Sequence, residues 1–284
     1  MVNCSNNDRM DRVQFHEMTL PGETSPNALL TVPGEQKPTA LVVSVHGISR
    51  NVREHAATVG QAAMRRGWAT LTPIFDRDRY LRYQQLGGKN GQGRSDLALD
   101  AIVDIAFERI GLNSAPFFLA GFSGGAQFSH RYALLYPHRV RALALASAGW
   151  YTNLDSTRSF PRGIKPVKRL EMRFANLDAF LRIPLHVCVG ELDKIRDPAL
   201  RTSQYLDKVQ GKNRVDRAET WLHHVEAVSD SYRIKTPRQF EQLPDTDHDF
   251  TNATDPDKGA LAEKWISFFA ASAACELIEN RKLG

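Results

Sequence analysis

The stretch "APFFLAGFSGGAQFSHRYALLY", residues 115–136, decides how the rest of the chain reads. An apolar run, Phe117 to Ala120, stops at Gly121. Ser123 then stands among Gly121, Gly124 and Gly125 before a helical pattern begins. Gly121, Ser123 and Gly125 match G-x-S-x-G in the context that motif requires, a strand before and a helix after. Two readings compete: a glycine turn with an idle serine, and a corner built to present the hydroxyl. On the second reading the turn is strained, so its neighbours must lack clashing side chains. The hydroxyl then projects at the carboxyl edge of the sheet, where open α/β sheets bind ligands. The following helix adds N–H groups and partial positive charge. A phosphate loop is the rival use of glycines, but the chain has no G-x-x-x-x-G-K-[ST], and no G-x-G-x-x-G follows a strand.

Outward from this corner, short apolar runs alternate with helical patterns. "VQFHEMTL" (13–20) and "ALLTV" (28–32) read as early antiparallel strands, and "TALVVSV" (39–45) as a strand buried on both faces. A helix is expected from about Val52 to Arg66, stopped by Gly67. The strand "WATLTP" follows, then a long polar loop of the kind that is usually functional. Ser95 or Asp96 is expected to cap the helix "DLALDAIVDIAFERIG". Strand 116–120 and helix 124–136 come next, followed by strands in "VRALALASAG" and "PLHVCVG". The helix "RVDRAETWLHHVEAV", the strand "RQFEQLP" and a C-terminal helix in "DKGALAEKWISFFAASAACELI" complete the pattern. Alternation of this kind predicts an α/β fold, a mostly parallel sheet with helices on both faces. The expected organisation is a single domain over 1–284, with a small cap from the polar insertion 149–180.

A serine nucleophile needs a base, usually a histidine held by a carboxylate. Of nine histidines, His248 in "LPDTDHDF" follows a strand pattern in a polar loop and can reach back over the sheet edge. His223 and His224 fall inside a helix, His130 and His138 point away from the elbow, and His186 alternates within a strand. The carboxylate should follow a strand between serine and histidine. "HVCVGELDKIRD" offers Asp193, three residues beyond Gly190, with Asp197 as its rival. Asp193 is preferred, because Asp197-Pro198 reads as a helix start. Two N–H donors are needed for an oxyanion. Gly124 is the first, and Ile48 in "VVSVHGISRN" is the second, with His46 shaping that loop. Phe122 and Trp150 are candidate substrate contacts, with Tyr151 beside them. Arg50, Arg77 and Arg79 could meet an anionic substrate.

The whole chain sets bounds. Its 284 residues are 42% hydrophobic and 24% charged, as in ordinary globular proteins, with a net charge of +5. The basic balance, pI about 9.1, has clusters such as "RDRYLR" but no nucleic-acid motif, so nucleic acid is not an expected partner. No run approaches the roughly 18 apolar residues of a membrane span, and the N-terminus lacks an export signal's apolar stretch. Three scattered cysteines, Cys4, Cys188 and Cys275, fit a reducing compartment. The expectation is a cytoplasmic protein with a small-molecule partner and no membrane partner. Oligomeric state is left open.

The chain resembles the α/β-hydrolase fold in four ordered motifs: "HGIS", "GFSGG", "GELD" and "DHDF". Within that superfamily it looks most like the esterase and polyhydroxybutyrate-depolymerase-type branch, on "HGISRN" and "SAGWYT". The resemblance implies a carboxylic ester hydrolase: Ser123 attacks a carbonyl, His248 takes its proton, Asp193 orients the imidazole, and no metal or organic cofactor takes part. An acyltransferase, or an amidase or peptidase, would use the same groups. A non-catalytic receptor on this fold would have no need of all three.

Overall fold

The structure is a computed structural model that describes residues 13–34, 36–87, 93–113, 116–167 and 176–283. Cys4, the segment before Val13 and part of the expected cap (168–175) lie outside the described residues. Among the described residues, eight strands form one sheet in the order β1-β2-β4-β3-β5-β6-β7-β8. They are β1 (His16–Met18), β2 (Ala28–Thr31), β3 (Leu41–Val45), β4 (Ala69–Pro73), β5 (Phe117–Phe122), β6 (Val140–Ala146), β7 (Leu185–Gly190) and β8 (Arg238–Leu243). The first two pair antiparallel, β2 joins β4 antiparallel, and β3 to β8 run parallel.

The helices are α1 (Val52–Met64), α2 (Ser95–Ile110), α3 (Gly124–Leu135), α4 (Leu177–Leu181), α5 (Gln204–Val209), α6 (Arg214–Ser231), α7 (Phe250–Thr254) and α8 (Leu261–Leu283). Alternate residues of each central strand feed two cores. Val43, Val45 and Leu119 face Leu99, Ile102 and Trp221 of α2 and α6. Val42, Phe118 and Ala120 face Val59 of α1 and Trp265 and Phe269 of α8. A strand whose two faces are both covered must be apolar at every position, hence the unbroken runs in β3 and β5.

Three local expectations need correction. Neither Ser95 nor Asp96 caps α2. Arg94 holds the N-cap position without a side-chain cap, Ser95 Oγ donates to the Tyr83 carbonyl at 2.9 Å, and Asp96 pairs with Arg94. Asp197 opens a turn, accepting from the N–H groups of Ala199 and Leu200, and the next helix starts later with Ser203 as its cap. The short helices α4, α5 and α7 fall where no helix was expected. At five or six residues they are too short to show a 3.6-residue period.

Candidate active site

Strand order places the candidate groups. β4 lies on one side of β3 and β5 on the other, so the chain leaving β3 and the chain leaving β5 flank a switch point. Val45 pairs with Gly121 in that register, which puts "HGIS" beside "GFSGG". Ser123 has φ +53° and ψ −112°, a region a β-carbon-bearing residue occupies only under constraint. Crowding explains its glycines. A Cβ on Gly121 would lie 2.5 Å from the Gly125 carbonyl carbon, and one on Gly125 would collide with the carbonyl of Val45.

At this corner the structure brings together three of the expected residues. Ser123 Oγ lies 3.0 Å from His248 Nε2, and His248 Nδ1 lies 2.7 Å from Asp193 Oδ2. Ser123 is 8% exposed and Asp193 2%, so both are buried and the carboxylate is the more deeply sealed. Two backbone bonds stitch the acid turn to the histidine loop: Glu191 N–H to Leu243 O and Leu192 N–H to Thr246 O, each 2.9 Å. Phe122, 5% exposed, stacks against the imidazole at 5.5 Å between centroids and meets Phe250 edge-on.

Asp197 is turned away from the histidine. Its Oδ2 accepts from Arg214 Nη1 at 2.6 Å, and the same nitrogen donates to Asp193 Oδ1 at 3.1 Å. Burial raises the pKa of Asp197, but the hydrogen bond and charge of Arg214 outweigh it and hold the carboxyl below its usual range. Arg214 is 1% exposed. Sequence reasoning missed it, because a helix N-terminus 21 residues beyond Asp193 carries no motif.

The other expected donors and contacts are also placed. The Gly124 N–H opens α3 and has no intrahelical acceptor. A Cβ on Gly124 would lie 3.3 Å from Ile48 N, so the backbone at Gly124 packs against the loop that carries Ile48. His46 shapes this loop: its Nδ1 donates to Gly47 O at 2.7 Å and its Nε2 accepts from Phe75 N–H at 3.2 Å. That tautomer needs a neutral ring, and burial drives its pKa down to about 4. The Tyr83 hydroxyl donates to His46 O at 2.8 Å. Trp150, 4% exposed, lines a cavity of about 140 Å³ together with Arg82, Gln85, Arg162 and Arg201. Tyr151 is fully buried against Trp221.

Two arginines expected to meet substrate are committed elsewhere. Arg50 donates to the carbonyls of Phe75 and Ile48, and Arg79 pairs with Asp76 and Glu23. Arg77 is exposed. His130 donates to Ala126 O and accepts from Thr152 N–H, and His224 accepts from Leu154 N–H. Both are structural.

No family model matches the chain, and no curated protein matches it. Solved structures do. Poly(aspartic acid) hydrolase-1 from Sphingomonas sp. KT-1 superposes with a TM-score of 0.72 at 21% identity, over 91% of this chain and 96% of that one. The poly(3-hydroxybutyrate) depolymerase LpqC from Bordetella parapertussis gives 0.70 at 20%, over 85% and 86%. An S-formylglutathione hydrolase from Agrobacterium tumefaciens gives 0.58 at 11%, over 92% and 94%. The chain has the α/β-hydrolase fold. In α/β-hydrolase terms, β3 to β8 are its parallel core, and Ser123 stands at the strand-to-helix elbow after β5. Among the described residues, no helix is long and apolar enough to cross a membrane.

Proposed function

We propose that the protein is a serine hydrolase that cleaves a carboxylic ester through an acyl-enzyme intermediate. The observation that carries this reading is the alignment of Ser123 Oγ, both ring nitrogens of His248 and Asp193 Oδ2 at 3.0 and 2.7 Å. Ser123 Oγ attacks the ester carbonyl as its proton passes to His248 Nε2. The N–H groups of Gly124 and Ile48 receive the oxyanion, a contribution worth about 10²–10³ in rate for each such donor. When the tetrahedral species collapses, His248 returns the proton to the leaving alcohol. Water then gives a proton to His248 and attacks the acyl carbon, and the acid leaves as Ser123 regains its hydrogen.

Asp193 keeps Nδ1 protonated and stabilises the imidazolium. Phe122 is a positioning residue that holds the plane of the His248 ring, and Trp150 walls the space where substrate rests. The complete set of three aligned groups favours catalysis over a receptor role. We place the protein in a reducing, cytoplasmic setting, on two free thiols, buried Cys188 and exposed Cys275.

The test is turnover of p-nitrophenyl esters of increasing acyl length by the wild type, Ser123→Ala and His248→Ala. The expected result is wild-type hydrolysis with a loss of at least about 10³ in kcat in each variant. Turnover retained by Ser123→Ala, or no wild-type turnover of any ester, contradicts the proposal.

A further inference from the structure

The cavity beside Trp150 is bordered by arginines whose charge has no counterpart among the described residues. Arg82, Arg162 and Arg201 line it, all three are exposed, and no Asp or Glu is among the described residues that border it. Among the described residues none of the three pairs with a carboxylate, whereas Arg94, Arg139, Arg196 and Arg214 all do. Their heads are set by aromatic faces instead: Arg162 lies 4.9 Å from the Tyr205 ring centroid and Arg201 5.4 Å from that of Trp150.

A fourth cation stands behind the wall. Arg131 is fully buried, and its guanidinium carbon lies 4.2 Å from the Trp150 centroid. It donates to Thr152 Oγ1, the Gln84 carbonyl and Gln127 Oε1, all neutral oxygens, and its Nη2 has no hydrogen-bond partner among the described residues. Burial, then the charge of Arg201, lowers its pKa to about 9, so it stays charged at neutral pH. A buried cation with only neutral acceptors is costly, and a nearby anion would relieve that cost.

This wall belongs to the elements that surround Ser123. Gln127 and Arg131 lie one and two turns along α3. The helix rises about 1.5 Å per residue, so Arg131 starts about 12 Å from Ser123 along the axis, and its side chain leans back toward the serine. Arg82 precedes Tyr83, whose hydroxyl reaches the loop of Gly124 and Ile48. Trp150 follows β6, the neighbour of β5. At about 140 Å³ the cavity has room for a carboxylate group, since a single water needs only roughly 10–15 Å³ of such space.

We infer that the Arg82, Arg162 and Arg201 cavity is an anion-binding subsite, and that the substrate carries a carboxylate on its acyl chain, several bonds from the carbonyl that Ser123 attacks. The inference rests on the proposed hydrolase reading for its link to Ser123, while the anion site stands on the arginines alone. Guanidinium forks pair with carboxylates in two-point hydrogen bonds, which suits recognition of an acid end group.

Two measurements test it. In calorimetric titration with adipate, the wild type should bind at millimolar concentration, and the double variant Arg162→Gln/Arg201→Gln should bind at least about tenfold more weakly. Equal binding by the two proteins, or none by the wild type, overturns the subsite whether or not the protein is catalytic. In kinetics, mono-p-nitrophenyl adipate should exceed p-nitrophenyl hexanoate at least about tenfold in kcat/KM, with the ratio falling toward one in the double variant and at high salt. A wild-type ratio near one overturns the assignment of the anion to the acyl chain. Labelling of the wild type by an uncharged fluorophosphonate separates the two claims. A labelled protein without charge preference refutes the acyl-chain assignment alone, and an unlabelled protein refutes the hydrolase reading; in both cases the titration decides the anion site.

Discussion

Asp193 and Asp197 sit four residues apart on one loop, yet Arg214 and His248 divide them. Asp193 offers one oxygen to His248 and the other to Arg214, while Asp197 reaches only Arg214 and its own turn. Asp193→Asn should therefore lower kcat about 10⁴-fold, by analogy with the measured loss on amidating a triad acid, and Asp197→Asn by less than about tenfold. Steady-state kinetics on the two variants checks this, and a reversed order would reassign the acid. That Ser123, His248 and Asp193 come together was legible, because each follows a strand in a short motif. Arg214, and the stacking of Phe122 on the imidazole, were not. Both depend on where a distant helix or ring packs, and no local pattern records that.

At the scale of elements, the elbow between β5 and α3 depends on absent side chains. Gly125→Ala would drive its methyl into the Val45 carbonyl, which belongs to the neighbouring strand and cannot move alone. The expected cost is on the order of 1–3 kcal/mol or more, as for other overpacked sites. A denaturant midpoint lowered at unchanged m-value would show it, and unchanged stability would mean that the backbone can open there. The strands were legible from continuous apolar runs, since two covered faces demand them. Helices α4, α5 and α7 were not, because five or six residues leave no period to read. The capping of α2 was misread for a different reason: Ser95 found a better acceptor in Tyr83 O, and Asp96 found a cation in Arg94.

The whole molecule stores several neutral histidines in its interior. Burial lowers the pKa of His46 from 6.5 to about 4 and lowers those of His55 and His130 well below 6.5, with the charge of Arg131 adding to the effect at His130. Above pH 6.5 these rings are neutral both folded and unfolded. As pH falls from 6.5 toward 4 the unfolded chain takes up protons that the folded one refuses, so stability declines through that window, by up to about 1.4 kcal/mol per pH unit for each ring. Melting followed by circular dichroism should show a falling midpoint from pH 6.5 to 4.5, and a flat profile would contradict the neutral assignment. The arginine wall also exists only at this scale. Arg82, Arg131, Arg162 and Arg201 come from separate segments that meet only in the folded chain. On the proposed hydrolase reading, the molecule is assembled around one reactive hydroxyl. The most direct test of that reading is to treat the folded protein with a fluorophosphonate and locate the adduct by peptide mass spectrometry. The account predicts a single stoichiometric adduct on Ser123, lost in Ser123→Ala and strongly slowed in His248→Ala; no adduct, or one on another residue, would contradict it.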